Sequence, residues 1–307
     1  MLLVFTDLDG TLLNSDDYSY QAALPTVRKL QAQNVPIIPV TSKTRAEVEV
    51  LCQQIRLQDG FIVENGSAIF IPQVQNVAAN VSAMESVQEL ENRANGALRF
   101  ANDTLQASSY SRKVENPATP QNTYQIQQFG CSYAEARTGL AILAQQLGVT
   151  LTGFGDLTEV EIADLTGLSL VEAQRAKQRE FTEPFITPKA ITSEQIQQIT
   201  ESLGFEVVIG DRFSHLIGQD ADKGRATQWL INQYQASNPQ TKVMAIGLGN
   251  SPNDLPMLEV MDLPIIIPGK QGPHPGLANR AWPVAAAPGA MGWAAAMESY
   301  DSLLNSQ

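Results

Sequence analysis

The stretch FTDLDGTLL, Phe5 to Leu13, decides the reading of this chain. It grows out of an apolar run, 2–6, and sets Asp7 and Asp9 two residues apart where that run ends. Apolar residues at successive positions mark a strand buried on both faces. Gly10 then lets the chain turn sharply. At this spacing both carboxylates face one small space. One can attack an electrophile while the other moves a proton, with a hard cation shared nearby. The arrangement suits phosphoryl transfer through an aspartyl phosphate. A calcium loop would continue with oxygen ligands at every second position, whereas Thr11, Leu12 and Leu13 follow here.

The 307 residues are 43% hydrophobic, enough to bury the core of one large domain or two ordinary ones. A net charge of −12 argues against nucleic acid or an anionic membrane as partner, because both are bound through basic patches. A phosphate can still be held where a cation, a lysine and backbone N–H groups reverse the field locally. Cys52 and Cys131 stand apart, without C-x-x-C or zinc spacing, and read as buried thiols in a reducing compartment. Residues 1–5 run straight into Asp7 and are too short for a signal peptide. No apolar stretch reaches the roughly 18 residues of a spanning helix. The expectation is a cytoplasmic protein acting on a small molecule, as a monomer or weak homodimer.

Five apolar runs, 2–6, 35–40, 60–63, 242–248 and 263–267, read as parallel strands, with helical patterns at 24–34, 45–57 and 223–235. This alternation predicts a doubly wound α/β sheet with ligands beyond the carboxyl ends of its strands. Pro36 and Pro39 predict that the second strand is short or bulged. The middle of the chain differs. Capping boxes pair Ser132 with Glu135, Thr158 with Glu161, Ser169 with Glu172 and Thr192 with Gln195. Strands are expected at 124–129, 185–187, 205–209 and 213–217, the last two joined by a turn at Gly210-Asp211. Residues 85–93 read as helix and 101–123 as a long connection. The organisation predicted is an α/β core, 1–84 and 219–307, interrupted by an α+β insert, 85–218.

Three further pieces cluster at the predicted sheet edge. Thr41-Ser42-Lys43-Thr44 ends the second strand. A hydroxyl there can donate to a phosphate oxygen, or simply cap the next helix. Asp222-Lys223-Gly224 opens a helix after the insert. Lys223 can neutralise both an aspartate nucleophile and a phosphate, or lie solvated like most lysines. Gly249 leads into Asn250-Ser251-Pro252-Asn253-Asp254, a polar loop able to hold a cation and present N–H groups. Glu64-Asn65-Gly66, after the third strand, suits substrate contact or a plain turn.

Together these motifs resemble, in order, the four signatures of the haloacid dehalogenase superfamily of phosphatases. The resemblance implies a Rossmann-like core with an inserted cap, and Asp7, Asp9, Thr41 and Lys223 as catalytic residues. It implies Mg2+ at Asp7, Asp9, Asn250 and Asp254. One departure stands out: Asn250 replaces the acid that usually opens the fourth signature. Its carbonyl can still coordinate, but one negative charge is lost. That implies weaker magnesium binding or, at the extreme, a phosphosugar-binding protein without turnover.

Longer pieces resemble the mannosyl-3-phosphoglycerate phosphatase family: IVENG at 62–66, GFGD at 153–156, AKQREFTEPF at 176–185, RFSHL at 212–216 and GLGNSPNDLPML at 247–258. The resemblance implies hydrolysis of mannosyl-3-phosphoglycerate to mannosylglycerate, a compatible solute, with glucosyl-3-phosphoglycerate as competitor and sucrose 6-phosphate a weaker one. Substrate contacts are then expected from Ser42, Lys43, Asn65, Arg179, Glu183, Arg212, His215 and Asn253. An arginine fork suits a carboxylate, and Glu183 suits sugar hydroxyls. The same segment also reads as an ordinary amphipathic helix, and His215 as a core histidine.

Overall fold

The computed structural model describes residues 1–73, 109–112, 124–188, 191–209 and 213–304. The first half of the core runs β1 (Leu2–Thr6), α1 (Leu24–Ala32), β2 (Ile37–Pro39), α2 (Arg45–Ile55), β3 (Phe61–Val63) and β4 (Ala68–Pro72). Two further strands follow, β5 (Ser109–Arg112) and β6 (Tyr124–Gln128). Then come α3 (Tyr133–Leu147), α4 (Glu159–Thr166), α5 (Leu170–Ala176), β7 (Glu183–Phe185), α6 (Ser193–Leu203), β8 (Phe205–Ile209) and β9 (Ser214–Gly218). The chain returns to the core with α7 (Lys223–Ser237), β10 (Met244–Gly249), α8 (Leu255–Glu259), β11 (Leu263–Ile266), α9 (Pro275–Ala278) and α10 (Gly289–Leu304).

The order β11-β10-β1-β2 is parallel throughout. A parallel bridge from Val40 to Ile62 carries the sheet on to β3. β1 is buried along its whole length, and its side chains alternate between two cores. Leu2 and Val4 pack with Val27, Leu30, Val48 and Trp293, whereas Leu3 and Phe5 pack with Leu230 and Met257. Helices on both faces are what an apolar, non-alternating strand demands. Replacing Phe5 by alanine would cost about 3–5 kcal/mol. Proline cuts β2 to three residues, as expected: Pro36 still accepts from Val4 N–H through its carbonyl, at 2.9 Å.

β4 turns back antiparallel on β3, and β6 and β5 continue that arrangement. Tyr124–Gln128 therefore pairs with a strand contiguous with the core sheet. β5 lies inside the stretch read as a connection; its sequence, SYSR, carries no apolar alternation to announce a strand. The helix expected at 85–93, the rest of 101–123 and the Gly210-Asp211 turn lie outside the described residues.

A three-stranded antiparallel sheet, β7-β9-β8, forms the heart of the insert. β7 comes two residues earlier than expected, and its Pro184 is tolerated because β7 is an edge strand. Leu216 and Phe185 face α3 and α6, packing with Leu140, Leu143 and Ile196. The pleat turns His215, the neighbour of Leu216, to the opposite face. All four capping boxes form.

Candidate active site

Asp7 is the first residue beyond β1, and its N–H bonds Leu248 O of β10 at 2.9 Å. Gly10 takes φ +77°, making the sharp turn that returns the chain under this edge. A Cβ on Gly10 would lie 2.4 Å from Asn250 Nδ2, so the bare glycine lets the 250–254 loop close on the first motif. Lys223, at the start of α7, is brought in by the Asn65-Gly66 turn. Gly66 has φ +89°, and a Cβ there would strike Asp222 O at 2.2 Å.

Lys223 Nζ lies 2.9 Å from Asp7 Oδ1 and 2.7 Å from Asp254 Oδ1. The lysine side chain is only 1% exposed. Burial opposes its charge, but the Asp254 and Asp7 carboxylates outweigh burial and hold it protonated, well above the usual lysine range. Asp7 is pushed up to about 7, chiefly by burial and next by the Asp254 carboxylate, with Lys223 pulling the other way and Asp9 adding to the rise. Asp254 Oδ2 accepts from Asn250 N at 2.9 Å and Ser251 N at 3.1 Å. With Oδ1 on Lys223, Asp254 organises the loop and the lysine together.

Thr41 is buried at the end of β2. Its N–H bonds Ile62 O at 3.0 Å and its carbonyl accepts from Asn65 N at 2.9 Å, so main-chain bonds fix it to the next strand. Its Oγ1 accepts from Lys43 N at 3.2 Å, which leaves the hydroxyl proton to donate. Asn65, at φ +59°, is 3% exposed, and neither Oδ1 nor Nδ2 has a hydrogen-bond partner. An unpaired buried amide costs free energy unless something fills the space beside it.

From the insert, His215 Nδ1 is also buried without a partner. Burial pushes its pKa down to about 3, and the charges of Arg179 and Lys223 add to the fall. Arg179 is tied down: Nη2 donates to Ser42 O at 3.1 Å and Thr182 Oγ1 at 2.7 Å. Glu183 turns into the insert, where Oε1 accepts from Arg137 Nη1 at 3.0 Å and Gly155 N at 2.8 Å. Asn253 Oδ1 accepts from the Ser251 hydroxyl. Lys43 reaches Asp9 at 3.1 Å. Arg212 lies outside the described residues.

Glu64, expected with Asn65 and Gly66 to form a substrate contact or a plain turn, instead joins the insert to the core. Its buried carboxylate accepts from the N–H groups of Glu180 at 2.8 Å, Phe181 at 3.2 Å and Thr182 at 2.8 Å, and lies 3.4 Å from Arg179 Nε. Burial raises its pKa, while Arg179 and these donors lower it. The available signal was an acid directly after a buried strand.

The donor set fits a small hard cation. Asp7 presents a buried carboxylate, and Asn250 Oδ1 is buried with no hydrogen-bond partner. Both supply oxygen, the ligand magnesium selects. Among the described residues, no three Asp, Glu, His or Cys side chains converge as a cage, so such a cation would share main-chain, amide or substrate oxygens.

A family model of haloacid dehalogenase-like hydrolases matches residues 4–130. A glucosyl-3-phosphoglycerate/mannosyl-3-phosphoglycerate phosphatase of Persephonella marina is 34% identical over 297 residues, spanning 95% of this chain and 94% of the relative. A protein of the same name from Methanococcoides burtonii is 33% identical, over 89% of this chain and 86% of its own. A solved subclass IIB sugar phosphatase superposes with a TM-score of 0.59 at 13% identity, covering 99% of both chains.

Proposed function

The chain belongs to the haloacid dehalogenase-like hydrolases as a phosphomonoester hydrolase, and we propose that it dephosphorylates a hexosyl-3-phosphoglycerate, mannosyl or glucosyl, with Mg2+ as cofactor. The observation that carries this reading is the single buried ammonium of Lys223 shared by Asp7 and Asp254 at the carboxyl edge of the sheet. The names of the two curated relatives support the choice of substrate.

In this reading Asp7 attacks phosphorus and becomes the aspartyl phosphate. Lys223 offsets charge on the nucleophile and on the phosphoryl oxygens, and Thr41 donates its hydroxyl to one of them. Asp9 protonates the leaving alkoxide, then takes a proton from the water that hydrolyses the phosphoenzyme. Asp7, the Asp9 main-chain carbonyl and Asn250 would hold Mg2+, with Asp254 fixing their loop. When bound, the cation supplies the charge neutralisation that lets an anion attack an anionic ester. Asn65 and His215 have spare hydrogen-bonding capacity for hydroxyl or carboxylate oxygens of the substrate.

Phosphate release from mannosyl-3-phosphoglycerate, glucosyl-3-phosphoglycerate and sucrose 6-phosphate, at graded magnesium and with Asp7→Asn as blank, tests the reading. Release from the two glycerate esters that rises with magnesium supports it. Binding of these esters without release from any would show a phosphosugar-binding protein instead.

A further inference from the structure

The sequence reading puts Lys43 on the substrate; in the structure its ammonium is already committed. Nζ lies 3.1 Å from Asp9 Oδ1, 3.5 Å from Glu47 Oε1 and 5.1 Å from the centre of the Tyr18 ring. The lysine side chain is 15% exposed, whereas that of Asp9 is 41% exposed.

Each neighbour of Lys43 other than Asp9 is fixed by a second bond. Glu47 Oε2 is held in the capping box by Thr44 N at 2.9 Å and Thr44 Oγ1 at 3.0 Å, which leaves Oε1 to Lys43. Tyr18 belongs to a loop closed by Tyr18 N to Asn14 O at 3.2 Å and Asn14 N to Ser19 O at 3.0 Å. That loop is fastened to α10 through Ala290 N and Asn14 Oδ1, at 3.2 Å. Tyr18 takes φ +54°, a conformation that bulky side chains rarely adopt and that persists only where the surroundings enforce it. The ring is thus kept over the ammonium at a backbone cost.

We propose that Lys43, seated between Tyr18 and Glu47, is a positioning residue that holds the Asp9 carboxylate in its working place and does not itself bind substrate. Asp9 Oδ1 is buried with no hydrogen-bond partner beyond the Lys43 ion pair, and without that pair the half-buried carboxylate samples several rotamers. Proton transfer needs one of them, with heavy atoms about 2.6–3.2 Å apart. The inference rests on Asp9 being the proton-transfer group of the proposed phosphatase.

The test compares Lys43→Met, Lys43→Arg, Asp9→Asn and the Lys43→Met/Asp9→Asn double variant on hexosyl-3-phosphoglycerate, with crystal structures of wild type and Lys43→Met. The expected result is a kcat lowered about 10–100-fold in Lys43→Met, the scale of losing an oriented group, with KM changed less than about threefold. Lys43→Arg should regain part of that loss. In the Asp9→Asn background, Lys43→Met should cost little more, and the crystal structure of the single Lys43→Met variant should show Asp9 displaced. A raised KM with kcat kept, an equal loss in both backgrounds, or an Asp9 that stays in place would each overturn the proposal. If wild type releases no phosphate at all, the phosphatase reading falls and the two crystal structures alone decide the positioning. Should Lys43→Met not fold, Tyr18→Leu takes its place under the same outcomes.

Discussion

One oxygen of Glu64, Oε2, accepts both the main-chain N–H of Thr182 at 2.8 Å and its hydroxyl at 2.7 Å. Residues 118 positions apart are thereby joined twice at one atom, and Glu180 and Phe181 add their own N–H groups.

Glu64→Ala strands those buried donors and leaves the Arg179 guanidinium unbalanced. Removing one partner of a buried, hydrogen-bonded ion pair costs about 3–5 kcal/mol. Urea midpoints should fall accordingly, with Glu64→Gln losing less because its amide oxygen still accepts. A change below about 1 kcal/mol for the alanine variant would mean that the segment 179–182 is held by other means.

Lys223→Met leaves Asp7 and Asp254 facing each other without the charge between them, which favours protonating one of them. It also removes the donor that the proposed mechanism aims at the phosphoryl group. Activity should drop about 10³-fold, the scale of losing one preorganised charge-stabilising donor. Lys223→Arg should rescue little, because a planar fork cannot replace a point charge seated between two carboxylates. Retention of activity within tenfold contradicts the role given to this lysine.

Asn250→Asp restores a negative charge beside Asp7. The magnesium concentration for half-maximal activity should fall about tenfold, since carboxylate ligands bind this cation more strongly than amide oxygens. Calorimetric titration of magnesium into the two proteins gives a readout independent of turnover. An unchanged or weaker affinity would remove Asn250 from the proposed ligand set.

His215 is held neutral by burial and by the nearby Arg179 and Lys223 charges, with its pKa pushed down to about 3. The unfolded chain protonates this histidine near the ordinary value of 6.5. Below that pH the unfolded state binds a proton that the native state refuses, so the stability His215 contributes is present above about pH 6.5 and lost as pH falls toward 3. Between pH 7 and 5 the loss should be about 1–2 kcal/mol. Unfolding midpoints of wild type and His215→Asn at both pH values give the difference. Parallel pH slopes would show that the imidazole is solvated.

The core strands were legible because a segment buried on both faces has to be apolar at consecutive positions, and β1, β10 and β11 are. The capping boxes were legible because all their chemistry lies within four residues. β5 was not, since SYSR carries no period to read. Side-chain partners were the hardest part. Nothing near Lys43 in sequence says that its ammonium meets Asp9 rather than a ligand, and nothing near Glu183 says that Arg137 claims one of its oxygens. Such choices are made by residues dozens of positions away. Asn65 and His215, named from local motifs, carry buried polar atoms with no hydrogen-bond partner, and so does the second carboxylate oxygen of Glu183.

The Glu64 contact has a mechanical side. Phe181 packs in the core cluster with Phe70, Arg45 pairs with Glu180 at 2.7 Å, and Thr44 donates to Arg175 O at 2.9 Å. The inserted lobe is therefore pinned to the base along α2 and β3, and the chain crossing at 130–133 joins the same place: Cys131 Sγ donates to Phe181 O at 3.4 Å and Tyr133 N to Glu180 O at 2.8 Å. A lobe hung from one narrow stalk can tilt in any direction. Here stalk and mooring meet, so any tilt that lifts the lobe from α2 must break the Arg45–Glu180 and Thr44–Arg175 contacts.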